Sequence, residues 1–341
     1  MFKEILERLL EHKDLTEAES FSIMSKIMSG ELSSTQIGAF LVALRMKGET
    51  VAEITGAAKA MREKAAKIYI KDEVVDTCGT GGDKKGSFNV STTTAFVVAG
   101  AGLKVAKHGN RSISSRCGSA DVLEALGVKI DLPPQRVKEC IEKVGIGFLF
   151  APNFHPAMKH ALSPRRELGI RTIFNLLGPL TNPAGPAYQL IGVYSPNWLY
   201  PMAEVLKELG LKGAMVVHGE GGYDEITVTG KTTVAELKNG NIEMYEITPE
   251  MFGLERAQEE NIVGGDRETN AQIILKILSD KGDTDSTLRA KKDMVLLNSA
   301  AVFKICNLVE TWQQGIALAQ NVIKKGKAKA KLEALKRETA S

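Results

Sequence analysis

Near Glu73 the chain changes character, and this change restricts its fold more than any other feature. Before it, residues 1 to about 66 carry only helical patterning. Ile5, Leu6, Leu9 and Leu10 share one face of a first helix. Thr16 with Glu19 forms a capping box for a second, which Gly30 ends. A third covers roughly Thr35 to Met46 with Gly48 as its stop, and Thr50 with Glu53 opens a fourth. Four short amphipathic helices make a small bundle with an apolar side left over, which must cover the rest of the chain or another subunit. After Glu73, short β-branched runs alternate with helical stretches. The strand candidates are Val74–Val75, Leu103 to Ala106, Gly147 to Phe150, Leu190 to Tyr194 and Ala214 to His218. Helices are predicted over Ser119 to Leu126, Pro134 to Val144 and Leu199 to Leu209. Such alternation argues an α/β fold, a central mostly parallel sheet flanked by helices. Further on, a hairpin from Leu237 to Ile247 turns at Asn239–Gly240, Val295 to Val309 reads as a buried helix, and the basic end KKGKAKAKLEALKRETAS reads as a solvated final helix.

In an α/β sheet, ligand sites sit on loops leaving the C-terminal ends of the strands. The loops after Val75, Ala106 and His218 carry the chemistry-bearing motifs. The stretch from Asp76 to Gly127 sets a glycine cluster, Gly79–Thr80–Gly81–Gly82–Asp83, before a hydroxyl run from Asn89 to Thr94 and a basic loop from Lys107 to Ser112. Glycines let a backbone approach a ligand and turn successive N–H groups into one concavity, a nest for anions. Ser91, Thr92 and Thr93 precede the apolar stretch Ala95 to Ala101 and open a predicted helix, whose N-terminus is a phosphate site. Lys107 and Arg111 add the cations a polyphosphate requires. The glycine cluster matches neither the P-loop nor the dinucleotide fingerprint, and taken alone it reads equally well as a bare strand-to-helix turn. The three devices together point to a phosphorylated ligand.

Composition narrows the partners. A net charge of +3 over 341 residues is too small to argue for nucleic acid, and 43% hydrophobic residues suffice for a full core. Cys78, Cys117, Cys140 and Cys306 are scattered, so neither a zinc site nor a disulfide framework follows, and small buried thiols are expected. The N-terminus is charged throughout, unlike a signal peptide, and no apolar run is long enough to span a membrane. A reduced, cytoplasmic protein is the expectation.

Two further segments hold candidates. Ala151 to Pro186 contains six prolines together with His155, His160, Arg165, Arg166, Arg171 and Asn175. Two histidines without a carboxylate or a third histidine make a poor metal site. An arginine gripping a carboxylate in bidentate fashion is better motivated. In HGEGGYDEITVTG, Asp224 and Glu225 are adjacent in a glycine-bordered loop. A bare acidic pair is usually a solvated turn, but beside a polyphosphate cradle its hard oxygens suit Mg²⁺.

The motifs DTCGTGGD, FNVST, KHGNRS.SS..GSADVLEALG, F.FAP..HPAMK, R.ELG.RT.FN.LGPL.NP and GYDE, running on to NSAA near Asn298, resemble those of the anthranilate phosphoribosyltransferases over essentially the whole chain. The glycine cluster alone would also suit the related pyrimidine nucleoside phosphorylases. The resemblance implies a small α-helical domain, residues 1–70, joined by a mid-chain helical segment near 160–186, and a large α/β domain, residues 71–341. It implies a homodimer through the helical domain. It also implies the reaction: 5-phosphoribosyl-1-diphosphate and anthranilate give N-(5-phosphoribosyl)anthranilate and diphosphate, with Mg²⁺, about two ions per protomer, in tryptophan biosynthesis.

Carried over by position, Gly79, Gly82, Asp83, Ser87, Asn89, Val90, Ser91, Thr92, Lys107, His108, Gly109, Asn110, Arg111, Ser112, Ile113, Ser114, Ser115 and Ser119 would hold phosphoribosyl diphosphate. Gly79, His108, Asn110 and Arg165 would meet anthranilate, and Ser91, Asp224 and Glu225 the metal. Ser87 stands where threonine is expected and keeps the hydroxyl. The segment after Asp280 is less typical and carries no proposed site. Departure of diphosphate leaves an oxocarbenium-like ribose, so the chemistry calls for leaving-group stabilisation and orientation, with Lys107, Asn110 and Arg165 in those roles and no dedicated acid or base. Two other readings compete: a nucleoside phosphorylase, which should carry its Lys-His-Ser motif ahead of the glycine turn, and a non-enzymatic nucleic-acid-binding paralogue, which should be more basic and could lack the acidic pair.

Overall fold

The structure is a computed structural model that describes residues 2–81, 85–112, 116–281 and 285–341. The chain opens with helices α1 (Phe2–Leu10), α2 (Glu17–Met28), α3 (Ser34–Lys47) and α4 (Val51–Lys64). Three capping boxes set their starts, and each satisfies amides that the first helical turn leaves without partners. The Thr16 hydroxyl accepts from Glu19 N at 3.3 Å while the Glu19 carboxylate accepts from Thr16 N at 2.9 Å. The box at Ser33 and Gln36, which starts α3 one residue earlier than expected, has the same form with an amide in place of the acid. Glu53 closes the Thr50 box and does more. Fully buried, it also accepts from Leu15 N at 2.9 Å and Lys47 Nζ at 3.0 Å, tying α4 to the α1–α2 connection and the end of α3. Gly56 has no room for a side chain because the backbone of Glu17 fills that space, so α2 and α4 pack at close range.

Beyond the bundle come β1 (Val74–Gly79), α5 (Val90–Gly100), β2 (Lys104–Gly109), α6 (Ser119–Ala125), α7 (Pro134–Val144) and β3 (Ile146–Phe150). The middle segment forms α8 (Ala151–Phe154), α9 (Lys159–Leu168) and α10 (Ile173–Leu180), followed by β4 (Tyr188–Gly192), α11 (Leu199–Glu208), β5 (Gly213–Gly219), β6 (Thr232–Lys238) and β7 (Asn241–Ile247). Helices α12 (Arg267–Leu278), α13 (Ser286–Ile305), α14 (Trp312–Lys324) and α15 (Lys327–Ala340) complete it. The strands form one sheet in the order β3-β2-β1-β4-β5-β6-β7, parallel from β3 to β5 and antiparallel through β6 and β7. The expected α/β class with a mostly parallel sheet is therefore the observed one.

Each face of the sheet carries its own core, because alternate strand residues point to opposite sides. Ala214 and Val216 of β5 join Ile191 and the bundle residues Ile23, Ile27, Phe40 and Ile54, together with Leu177 of α10 and Met202 and Leu206 of α11. Met215 and Val217 face the other way, onto Phe96 and Val97 of α5, Leu296 and Phe303 of α13 and Leu332 of α15. The side left over on the bundle thus packs against α10 and α11, while Leu10 and Met46 stay exposed.

Several boundaries differ from expectation for identifiable reasons. Strand β1 continues past Val75 through Asp-Thr-Cys-Gly, residues with little strand propensity, because β4 pairs with it residue by residue as far as Gly79. The hairpin turns at Asn239 and Gly240, with φ of 51° and 77° as a two-residue turn of this hand requires, but its first strand begins at Thr232. Helix α13 starts at the Asp285 cap and ends at Ile305, and it buries Lys291 and Lys292 as well as apolar residues. The final helix is solvated on one face only, with Lys327, Lys329 and Arg337 exposed. Ala328, Leu332 and Leu335 recur at helical spacing and bury against α5 and α7, while Lys331 Nζ crosses to the Val144 carbonyl.

Candidate active site

Strand β1 lies between β2 and β4, so the chain builds the sheet outward through β2 and β3 and then returns to the other side of β1. That reversal leaves a crevice beyond the carboxyl ends of β1 and β4, where doubly wound folds bind ligands. Gly79 and Gly192 end these strands in register. A Cβ at either would collide with Asp224, so both glycines are required for the loop after β5 to fold over the strand ends. Gly81 N then donates to Asp224 Oδ2 at 2.7 Å, and Thr80 N donates to the Gly192 carbonyl at 2.9 Å. Asn298 of α13 brackets Ile226, accepting from its N–H at 3.2 Å and donating to its carbonyl at 2.9 Å, which fixes the backbone just past Glu225.

Helix α5 points its N-terminus into the same crevice. Its N-cap, Asn89, does not cap it. The Asn89 amide instead donates to the Cys117 carbonyl at 3.3 Å, linking the loop after β1 to the loop after β2. Ser91 and Thr92 sit in the first turn and line the cleft. Beneath them Lys107 is buried at 3% exposure and donates to the Thr77 carbonyl at 2.6 Å and to Ser91 Oγ at 3.3 Å. Its counter-charge is Asp76, wholly buried, whose carboxyl burial pushes upward in pKa while the charge of Lys107 opposes it. Asp76 accepts from His108 N at 3.3 Å and from Asn182 Nδ2 at 2.8 Å, so the basic loop starts from a fixed backbone.

On the opposite wall, His108 and His155 pack with ring centroids 5.1 Å apart. Burial, reinforced for His108 by its neighbour, drives their pKa values down to about 3 and about 4, so both imidazoles are neutral at pH 7. Arg165 lies 4.9 Å over the Phe174 ring, and burial lowers its pKa too. Arg111 departs from expectation. Its guanidinium pairs with Glu124 at 2.6 Å and Asp121 at 3.1 Å, and Glu124 above all raises its pKa, so its charge is largely met within the protein. Lys107 is therefore the buried cation of the cradle.

These groups surround one cleft of about 640 Å³. It brings together Gly79, Ser87, Asn89, Ser91, Thr92, Lys107, His108, Gly109, Asn110, Arg111, Ser112, Ser119, Arg165, Asp224 and Glu225. Val90 instead buries its side chain in the core. Gly82, Asp83, Ile113, Ser114 and Ser115 lie outside the described residues. Of the mid-chain candidates, His155 and Asn175 line the cleft, while Asn175 also accepts from Thr172 N at 3.0 Å. Arg171 stacks 4.0 Å over Tyr194. His160, Arg166 and Arg171 are not among the lining residues. Sequence reasoning missed the apolar wall of Met61, Pro152, Met158, Leu162 and Pro179, since such residues at helical spacing read as core. The only hint was the density of prolines between Ala151 and Pro186.

Comparison with known proteins agrees with this geometry. The helical bundle domain of a glycosyl transferase family matches residues 3–65, and the a/b domain of that family matches residues 71–329. The anthranilate phosphoribosyltransferase of Acetivibrio thermocellus is 54% identical over 335 residues, covering 98% of this chain and 95% of that protein. The crystal structure of the Thermus thermophilus enzyme superposes with a TM-score of 0.92 at 44% identity, covering 99% of both chains. The Saccharomyces cerevisiae enzyme in complex with PRPP and Mg gives a TM-score of 0.92 at 28% identity, covering 99% of this chain and 98% of that one. With cleft, fold and full-length similarity in agreement, the chain belongs to this glycosyl transferase family and, within it, to the anthranilate phosphoribosyltransferases.

Proposed function

We propose that this chain carries out the family's phosphoribosyl transfer in the cleft at the β1–β4 switch point, with the two substrates meeting beside Gly79, His108 and Asn110. Phosphoribosyl diphosphate lies on the side of Gly79, the α5 N-terminus and the basic loop. Ser87, Asn89, Ser91 and Thr92, the backbone of Val90, and Lys107, His108, Gly109, Asn110, Arg111, Ser112 and Ser119 hold it. Gly82, Asp83, Ile113, Ser114 and Ser115 are assigned to the same ligand by family position. The observation that carries this is the uncapped N-terminus of α5 with buried Lys107 beneath Ser91, a fixed positive field lined with hydroxyls.

Ser91, Asp224 and Glu225 are the residues that would hold Mg²⁺, about two ions per protomer. Their donors suit it: all are hard oxygens on the cleft, and among the described residues no trio of His, Cys, Asp or Glu forms a closed protein cage. When bound, the metal supplies charge neutralisation at the diphosphate. Lys107 and the α5 amides add fixed positive potential where the leaving group gathers charge. Anthranilate is placed against Gly79, His108, Asn110 and Arg165, with Arg165 gripping its carboxylate. Its amine is neutral at pH 7, and a histidine with a pKa of about 3 is a poor base, so orientation replaces proton abstraction. Lys107, Asn110 and Arg165 are transition-state stabilisers, not acid–base groups.

A small helical domain of residues 1–70, joined by the mid-chain helical segment near 160–186, and an α/β domain of residues 71–341 make up the protomer of a homodimer, the exposed Leu10 and Met46 offering apolar surface for it. Free thiols at Cys78, Cys117, Cys140 and Cys306 suit a reducing cytoplasm, and no helix among the described residues is long and apolar enough to cross a membrane. The test is the decay of anthranilate fluorescence on mixing with enzyme, phosphoribosyl diphosphate and Mg²⁺. Decay should require all three and stop with a chelator. Arg165→Ala should raise the KM for anthranilate about a hundredfold and that for phosphoribosyl diphosphate less than about twofold. Equal increases would refute its role.

A further inference from the structure

A strap of chain outside the cleft touches both phosphate-facing loops. It runs from Ala257 to the start of α12 and pairs along the residues just before α5. Phe88 N donates to the Ile262 carbonyl at 3.3 Å, Gly264 N donates to the Gly86 carbonyl at 2.8 Å, and Ser87 bridges Val263 between them. Behind the strap, buried Lys291 donates to the Asn261 carbonyl at 2.7 Å, anchoring it to α13. Its turn depends on one side chain, Asn270, which is 2% exposed. Asn270 Oδ1 accepts from Gly265 N at 2.9 Å and its Nδ2 donates to the Gly265 carbonyl at 3.3 Å. A Cβ at Gly264 would lie 2.5 Å from Asn270 Oδ1 and 2.7 Å from Phe88 Cα, so the strap, Asn270 and the first loop are in direct contact. The first loop is joined to the second where the Cys117 carbonyl accepts from Asn89, and Asn270 opposes the rise that burial gives the pKa of the Cys117 thiol.

We propose that Asn270 is a positioning residue for phosphoribosyl diphosphate, holding the strap so that the loop ending at Asn89 and the loop through Cys117 keep one mutual spacing. The proposal rests on the assignment of both loops to that substrate. Asn270 touches no reacting atom; it acts through Phe88, Gly265 and Cys117. Losing it lets the loops drift apart, and a ligand that spans both binds less well, whereas the anthranilate wall of Arg165 and Phe174 is unaffected.

The experiment compares the wild type with N270A and N270D in the full chain. Aspartate keeps the acceptor for Gly265 N and loses the donor to the Gly265 carbonyl. In N270A the KM for phosphoribosyl diphosphate should rise about tenfold, the equivalent of about one net hydrogen bond, while that for anthranilate stays within about twofold. N270D should fall between N270A and wild type, and it carries the comparison if N270A does not fold. Alkylation of Cys117, followed by peptide mass spectrometry, should become faster in both variants and slow again when phosphoribosyl diphosphate and Mg²⁺ are added. Equal increases in both KM values, or unchanged Cys117 reactivity, would overturn the proposal. Titration calorimetry separates the two levels. If the wild type fails to bind phosphoribosyl diphosphate with Mg²⁺, the loop assignment falls and takes this inference with it. If the wild type binds and N270A binds equally well, only the inference falls.

Discussion

In the N-terminal bundle, α2 begins where the Thr16 hydroxyl meets an amide three residues on; in the cleft, Asp224 meets the amide of Gly81 across 143 positions of chain. The bundle sets its element boundaries by bonds within one turn, and each can be changed almost alone. The cleft sets its geometry by contacts between distant segments: Asn182 on Asp76, Asn298 on Ile226, Asp224 over Gly79 and Gly192. Local bonds therefore set where the bundle helices begin, and distant ones shape the cleft.

The largest expected effect is on the cleft side. Asp224→Ala should lower kcat about a thousandfold at saturating substrates, with added Mg²⁺ failing to restore it and the melting temperature little changed. A large loss of stability instead would mean that the acidic loop, like the bundle, is mainly structural.

The buried histidines break the simple division, because they face the cleft yet govern stability. Both have folded pKa values below the ordinary 6.5, so the unfolded chain takes up protons first as pH falls. Their stabilising contribution is complete above about pH 6.5 and is lost progressively toward about pH 4 and pH 3. At pH 5 each should have cost about 2 kcal/mol. Denaturant unfolding at pH 7.5 and pH 5 measures this, and His155→Asn should remove about half of the difference.

Within the bundle, the capping boxes should divide by how far they reach. Glu53→Ala should cost about 3 kcal/mol, since it leaves the buried Lys47 side chain with Asp14 as its remaining carboxylate and frees Leu15 N as well as the cap. Thr16→Ala, at an exposed box, should cost about 1 kcal/mol. Neither should alter the KM for either substrate. A changed KM would show that the bundle shapes the cleft beyond the Met61 contact.

The same division explains what could be read from the sequence. The boxes at Thr16 and Thr50 and the Asn239–Gly240 turn were legible because cause and effect lie within a few residues. The motif loops were legible because glycine, hydroxyl and basic residues have few other reasons to cluster. The strand through Asp-Thr-Cys-Gly was not, because its neighbours in the sheet come from elsewhere in the chain. The burial of α15 was hidden by lysines set among Ala328, Leu332 and Leu335. That Arg111 would meet Asp121 and Glu124 was obscured by its place in a basic loop, and no local pattern pairs Asp76 with Asn182.

The packing of α15 on α5 has a consequence for how the protein is made. Gly100 of α5 has no space for a side chain because Ala328 and Val322 fill it, so the helix that presents Ser91 and Thr92 is covered by one synthesised long afterwards. On the ribosome, an apolar face of α5 waits uncovered through most of elongation. That interval is when a chaperone would engage this chain, and a stalled or prematurely terminated product would expose the same face to aggregation.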